Sequence, residues 1–324
     1  MKNIGPRVVL VLGMHRSGTS AVAGVASMLG ASPPAHPLPA SSSNPLGYWE
    51  SGALLSVNDW ILHEAGASWY DCLADGAEAL DMRRRTLAVT LIMIAMMSEF
   101  PGAKLPLIKD PRICLLLDLW LPALHALKLS PSVLLVLRHP NEVVSSLAVR
   151  DGLAPIVSAA LWLQHMLAAE LATRDCPRHI LSYGGLLRDW RGSMALASER
   201  AAIGWPATLN IPPSRVARYL DPRMRHHEAT QAPGGTSLTP LRFWLEEAYA
   251  ALGGLERDGP AARHFERLDG VRHAFASWCR AEGQALAAGL LRAHPIRAVP
   301  RFEVPKKWLR IAENLVSADG ALVG

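Results

Sequence analysis

The chain has 324 residues, 50% of them apolar, and carries 33 Lys and Arg against 28 Asp and Glu for a net charge of +5. Such a composition supports a sizeable core and excludes a disordered or fibrous chain. The modest basic excess suits an anionic ligand, but no Lys/Arg block is present, which argues against nucleic acid as a partner. Cys72, Cys114, Cys176 and Cys279 are scattered without a Cys-x-x-Cys pair, so neither a disulfide framework nor a thiolate metal site is expected.

Near the start, Lys2 and Arg7 precede an apolar run that ends in His15-Arg16 with no small-residue cleavage site. The run is therefore read as a first strand rather than a signal peptide, and a cytoplasmic location is expected. Residues 8–20 read VVLVLGMHRSGTS: a buried strand broken at Gly13, a short polar turn, and a helix resuming at Thr19. A turn in that setting presents backbone N–H groups and a helix N-terminus to a phosphate. The spacing Gly13-x4-Gly18-Thr19-Ser20 imitates the nucleotide-binding P-loop but lacks the lysine that reaches the β/γ-phosphates. Arg16 stands inside the loop instead, which points to a phosphate-bearing ligand other than an ordinary nucleoside triphosphate.

Gly30 closes the first helix, and residues 31–47 then contain Pro33, Pro34, Pro37, Pro39 and Pro45, a composition that neither a helix nor a central strand accommodates. This loop delivers the chain to Glu50. A carboxylate among aromatics after a glycine suits a general base; equally, Glu50 suits the first turn of the next helix. Helical patterns cover residues 51–66 and 77–100. The apolar run at 87–97 is short of the ~20 residues of a membrane span and is read as a buried helix. Residues 104–109 read as a short strand ending in Lys109-Asp110, where ligands of parallel α/β sheets bind. Asp110 would either hold a metal or pair with Arg112 and cap the turn at Pro111, while a buried Lys109 requires an anionic partner.

Residues 132–137 form a third strand, ended by Arg138, and Pro140 opens a helix bearing Ser145 and Ser146. Arginine at such a tip makes a bidentate phosphate contact or pairs with an ordinary surface acid. A long helix is expected from about 155 to 173, a fourth strand at 178–183, and a helix starting at 186–190. Strands alternating with helices predict a parallel, doubly wound sheet. Past Pro206 the pattern changes. The basic stretch at 221–227, with His226-His227, precedes a breaker-rich linker around Pro233-Gly234-Gly235, helices resume over 241–252 and 261–292, and a Pro-interrupted basic tail follows. The division expected is a ligand-binding domain at 1–228 and a helical extension at 229–324. Adjacent histidines do not face one way on a helix and nothing completes a ligand set, so no metal site is expected.

The loop at 13–20, the strand end Lys109-Asp110-Pro111-Arg112, the unit from Arg138 to Ser146, and Tyr183 together resemble bacterial members of the PAPS-dependent sulfotransferase family, over about residues 8–190. The resemblance implies a P-loop-like three-layer α/β fold with a central parallel sheet. It also implies transfer of a sulfuryl group from 3′-phosphoadenosine 5′-phosphosulfate (PAPS) to an acceptor hydroxyl. His15, Arg16, Ser17, Gly18, Thr19 and Ser20 would then hold the 5′-phosphosulfate. Arg138 and Ser146, eight positions apart, would take the 3′-phosphate, with Tyr183 near the nucleotide, and Lys109 would meet the transferring group. Two departures are visible. Pro111 stands where many members carry a histidine base, so the base falls to Glu50, the position of a glutamate used in other branches. Gly184-Gly185 follow Tyr183 where an acidic residue is common. The catalytic set implied is Glu50, Lys109 and Arg16, without metal. The acceptor expected is a carbohydrate or glycolipid, with Trp49, Trp60 and Trp69 as candidates to stack on sugar faces. The alternatives are a P-loop kinase using Asp110 for Mg²⁺ and a catalytically inactive nucleotide-binding protein.

Overall fold

Four apolar runs become four parallel strands: β1 (Arg7–Leu12), β2 (Leu107–Lys109), β3 (Ser130–Leu137) and β4 (Arg178–Ser182), in the order β2-β1-β3-β4. The computed structural model describes residues 5–41, 44, 46–71, 79–207, 210–217, 219–220, 239–283 and 303–320. A parallel sheet is covered on both faces, so its strands are nearly continuous in Val and Leu. Their two-residue alternation feeds two cores. Val8, Leu10, Leu12, Val133, Leu135 and Leu137 face one; Val9, Val11, Leu134 and Val136 face the other.

The first face is covered by α2 (Gly52–Glu64), α3 (Met82–Glu99), α4 (Leu117–Ala126), α5 (Pro140–Asp151) and α6 (Pro155–Ala172). The second is covered by α1 (Thr19–Met28), α7 (Tyr183–Arg188), α8 (Trp190–Arg200) and α9 (Pro213–Ala217). This is the α/β three-layer architecture that the sequence pattern predicts. The chain runs from β1 out to β2 and then crosses back to β3, so the strand order reverses between β1 and β3. That reversal opens a crevice at the carboxyl ends of the strands, and Gly13 and Arg138 leave the sheet on its two sides.

The helices beyond residue 238 share the first core. Leu241, Leu245, Ala248 and Leu252 of α10 (Thr239–Asp258) and Leu268 and Phe275 of α11 (Ala262–Trp278) belong to the cluster that contains Leu10 and Leu135. Glu170, fully buried on α6, pairs with Arg174, Arg178 and, across to α11, Arg272.

Several boundaries differ from the sequence reading. β2 is confined to three residues because Leu105 and Leu107 bond Ser32 instead, on either side of Pro106. α3 starts at Met82, behind Asp81, whose side chain caps Arg84 N. α11 stops at Trp278 and passes into a π turn at Cys279–Gly283. The expected tail contains a helix, α12 (Lys306–Gly320), whose Ala312 packs into the first core beside α3. Cys72, His226-His227, the Pro233 linker and the 228/229 boundary lie outside the described residues. Among the described residues no helix is long and apolar enough to cross a membrane.

Candidate active site

The turn after β1 holds its shape through three residues with positive φ, Gly13 (138°), Arg16 (67°) and Gly18 (91°). Both glycines are also required by close approach. A Cβ at Gly13 would stand 2.7 Å from Val136 O, and one at Gly18 would run into the Tyr183 ring. Arg16 pays the left-handed penalty without being glycine, ~1–3 kcal/mol that a structure tolerates mainly at functional sites. Gly13 N–H donates to Cys114 Sγ at 3.2 Å, and burial pushes that thiol up to about 12, so it stays neutral. Gly18 is the N-cap of α1 and has no side chain to cap the first turn; the Ala21 N–H already donates to Gly18 O, which leaves the Thr19 and Ser20 amides as the outward donors. Ser17 Oγ is fully buried and has no partner among the described residues.

Around the loop, positive charge is crowded. Burial, then Arg150 and Arg138, push the Arg16 pKa below its usual value. Arg16 Nε donates to Ser146 Oγ at 2.8 Å, and Arg138 Nη1 donates to Arg16 O at 2.8 Å. The residues that the resemblance divides between the two ends of a nucleotide thus meet in one network. Ser20 is turned toward the proline-rich loop that follows α1, where Asn44 Nδ2 donates to its Oγ at 3.0 Å. Thr19 is buried against Gly13.

The chemistry-bearing pair lies at the β2 end. Val11 of β1 is level with Lys109, so Lys109 emerges beside the loop. Its Nζ contacts Glu50 Oε1, and both side chains are buried, which supplies the anion that a buried lysine needs. Glu50 precedes Ser51, the N-cap of α2, and so lies outside the helix; the first-turn reading of this residue is incorrect. Trp49 holds it there with φ 59°, its ring packed 6.0 Å from that of Tyr219. Burial raises the Glu50 pKa, while Lys109 opposes the rise.

Asp110 does the structural work anticipated as an alternative to metal binding. Its Oδ1 accepts from Arg112 N at 3.0 Å and Nη1 at 3.1 Å, and its Oδ2 accepts from Asn58 Nδ2 at 3.0 Å. Asn58 Oδ1 in turn accepts from Trp120 Nε1 at 2.9 Å, and Arg112 Nε donates to Asp59 at 2.5 Å. Burial works against the Arg112 charge, but Asp110 and Asp59 outweigh it and raise its pKa. Among the described residues no cluster of three His, Cys, Asp or Glu is placed to hold a metal.

Next to the loop, the His15 ring is 4.4 Å from Trp69 and 6.3 Å from His165 of α6. Burial, then Arg150 and Arg112, keep His15 neutral by pushing its pKa well down; burial takes His165 to about 4. His15 Nε2, Trp69 Nε1 and His165 Nε2 are buried without partners among the described residues. Trp69 and Trp49 are therefore walls rather than open stacking surfaces, and Trp60 packs against the core.

On the β3–β4 side, Arg138 Nε donates to buried Glu142 at 2.8 Å, and its guanidinium lies 5.2 Å from the centre of the Tyr183 ring. Beyond it opens a cleft of about 540 Å³ lined by Arg138, Tyr183, Gly184 and residues of α10. Glu256 of α10 accepts from Ser182 N at 2.8 Å; it brings to the Tyr183 turn the carboxylate that Gly184-Gly185 lack. Glu142 was legible as a partner four residues after Arg138. His165, Glu256 and Asn58 had no local signal, being brought in only by tertiary packing.

No protein-family model matches the chain, and no curated protein matches it significantly. Among solved structures it is similar to one described as "Sulfotransferase Domain from the Curacin Biosynthetic Pathway". The identity is 14%, over 71% of this chain and 81% of that one, with a TM-score of 0.40. The case for an activity rests on the residues of the site.

Proposed function

We propose that the protein transfers a sulfuryl group from PAPS to an acceptor hydroxyl. The observation that carries this reading is a convergence at one sheet edge. A phosphate loop without the P-loop lysine, the buried Glu50–Lys109 pair and Arg138 at the mouth of a cleft all occur there. The residues suit the nucleotide: the Thr19 and Ser20 amides of α1 and Ser17 Oγ, which has no partner among the described residues, are donors for a 5′ anion. The cleft beside Tyr183 has the volume of an ordinary small-ligand site.

Arg16 and the loop amides bind the 5′ end. Lys109 turns from Glu50 toward the sulfuryl oxygens, which removes the stronger of the cations that lower the Glu50 pKa. Glu50 is then a desolvated carboxylate of raised basicity and accepts the acceptor's proton. The acceptor oxygen bonds to sulfur as the bond from sulfur to the 5′-phosphate oxygen breaks. Arg16 and the loop N–H groups meet the charge left on that oxygen. The acceptor belongs on the Glu50 side of the loop, and a carbohydrate or glycolipid hydroxyl is the acceptor class proposed. The free thiols of Cys114, Cys176 and Cys279 accord with a cytoplasmic setting.

A P-loop kinase would need Asp110 for Mg²⁺, but both Asp110 oxygens are engaged by Arg112 and Asn58. Glu50→Gln tests the proposal: transfer should fall ~10²–10⁴-fold while affinity for the product nucleotide is kept. Transfer near the wild-type rate would remove Glu50 from the mechanism.

A further inference from the structure

The proline-rich loop between α1 and α2 is tied down on its way to Glu50. Ser32 N–H donates to Leu105 O and Leu107 N–H donates to Ser32 O, both at 2.8 Å, so the loop departs along the edge of β2. Residues 36–38 then lie antiparallel to residues 50–52. Pro37 bridges Ser51, Leu38 N–H donates to Glu50 O at 2.7 Å, and Gly52 N–H donates to His36 O at 3.4 Å. This short backbone pairing is what holds the Glu50 segment outside α2 on the side away from Lys109.

The pairing is anchored by Glu99. Ala35 N–H donates to Glu99 O at 2.9 Å, His36 N–H donates to Glu99 Oε2 at 3.0 Å, and His36 Nδ1 meets Glu99 Oε1 at 3.0 Å. Glu99 is only 3% exposed although it is the last residue of α3. Burial and the negative end of the helix dipole both oppose a carboxylate there. An apolar residue would fill the space without either cost; what the carboxylate adds is two acceptors that fix His36. The His36 side chain is itself largely exposed, so its ring does not serve packing. The contacts run in an unbroken series from Glu99 to His36, through the paired backbone at Leu38 to Glu50, and so to Lys109.

We propose that Glu99, acting through His36, is a positioning residue that holds Glu50 against Lys109. This rests on the sulfotransferase reading and adds to it a support for the base. Misplacing a reacting group by about 1 Å can cost ~10²-fold in rate, so a slack loop lowers the chemical step and leaves nucleotide binding alone. It also lets water reach Glu50, whose burial raises its pKa, while the charges that face it, Lys109, Asp110 and Arg112, are unchanged.

The test uses the full chain with labelled PAPS and an acceptor that the wild type sulfates. It measures kcat, the KM for PAPS and the pH at which transfer is half lost on acidification, in the wild type, Glu99→Ala, Glu99→Gln and His36→Ala. Glu99→Ala should lower kcat about 10- to 100-fold and keep the KM for PAPS within about twofold. Its acid midpoint should move down toward the ~4.3 of an ordinary glutamate. Glu99→Gln keeps an acceptor for His36 N–H and a donor for Nδ1, and should restore kcat to within about threefold of the wild type. His36→Ala loses one of the two side-chain bonds and should lower kcat about 2- to 10-fold. Wild-type kcat and acid midpoint in Glu99→Ala, or in His36→Ala where Glu99→Ala does not fold, would overturn the inference and leave the transferase reading standing. A wild type that transfers nothing from PAPS to any acceptor would overturn both.

Discussion

The two ends of the sheet's carboxyl edge handle charge in opposite ways. At the β2 end, Glu50, Lys109, Asp110 and Arg112 are buried and matched to one another. At the β4 end, Arg188 and Arg257 stand exposed over glycines at an open cleft. Burial makes each charge at the first end chemically sensitive, because removing a neighbour changes a pKa or leaves a desolvated ion. Exposure at the second end leaves each charge with little effect on folding. Under the proposed function the reaction chemistry belongs to the buried end and ligand binding to the open one, with the Gly13–Gly18 turn between them.

The largest expected effect is the rate loss of Glu50→Gln described above, and a comparable loss in Arg188→Ala would erase the distinction between the ends. Next is Asp110→Ala, which leaves Arg112 buried with Asp59 as its remaining carboxylate. A broken buried pair costs ~3–5 kcal/mol, so urea unfolding should show a large fall in midpoint; a change under ~1 kcal/mol would place the pair among solvated ones. Gly18→Ala forces a side chain into the Tyr183 ring at φ 91°. Strain of ~1–3 kcal/mol should appear in melting curves together with weakened nucleotide binding, since loop and cleft share Tyr183.

The pH profile gives a smaller and more diagnostic effect. Glu50 must be ionised to accept a proton, and its pKa is raised by burial. Transfer should therefore be full at neutral pH and decline as pH falls through a midpoint above the ~4.3 of an ordinary glutamate. That limb should vanish in the residual activity of Glu50→Gln.

Much of the fold was legible because buried parallel strands announce themselves as unbroken Val and Leu runs, and all four were read in place. The partner of Lys109 followed from the cost of burying an ammonium group, although Glu50 itself stayed ambiguous between base and helix. What settled it was Ser51, which takes the cap and leaves Glu50 outside α2. The helix α12 went unread despite Trp308, Leu309, Ala312 and Val316 at helical spacing, because the flanking prolines and basic residues suggested a tail. Glu256 and Arg257 could not be read at all: they reach Ser182 and the cleft from more than seventy residues away, and only packing of α10 on the sheet joins them to the site.

The central claim is tested most directly by incubating the protein with PAPS labelled at sulfur and a panel of sugars and phenols, and following label and nucleotide by mass spectrometry. The account predicts sulfated product and adenosine 3′,5′-bisphosphate in equal amounts without added Mg²⁺, and neither with Glu50→Gln. Mg²⁺-dependent turnover of ATP, with no release of the bisphosphate from PAPS for any acceptor, would contradict it.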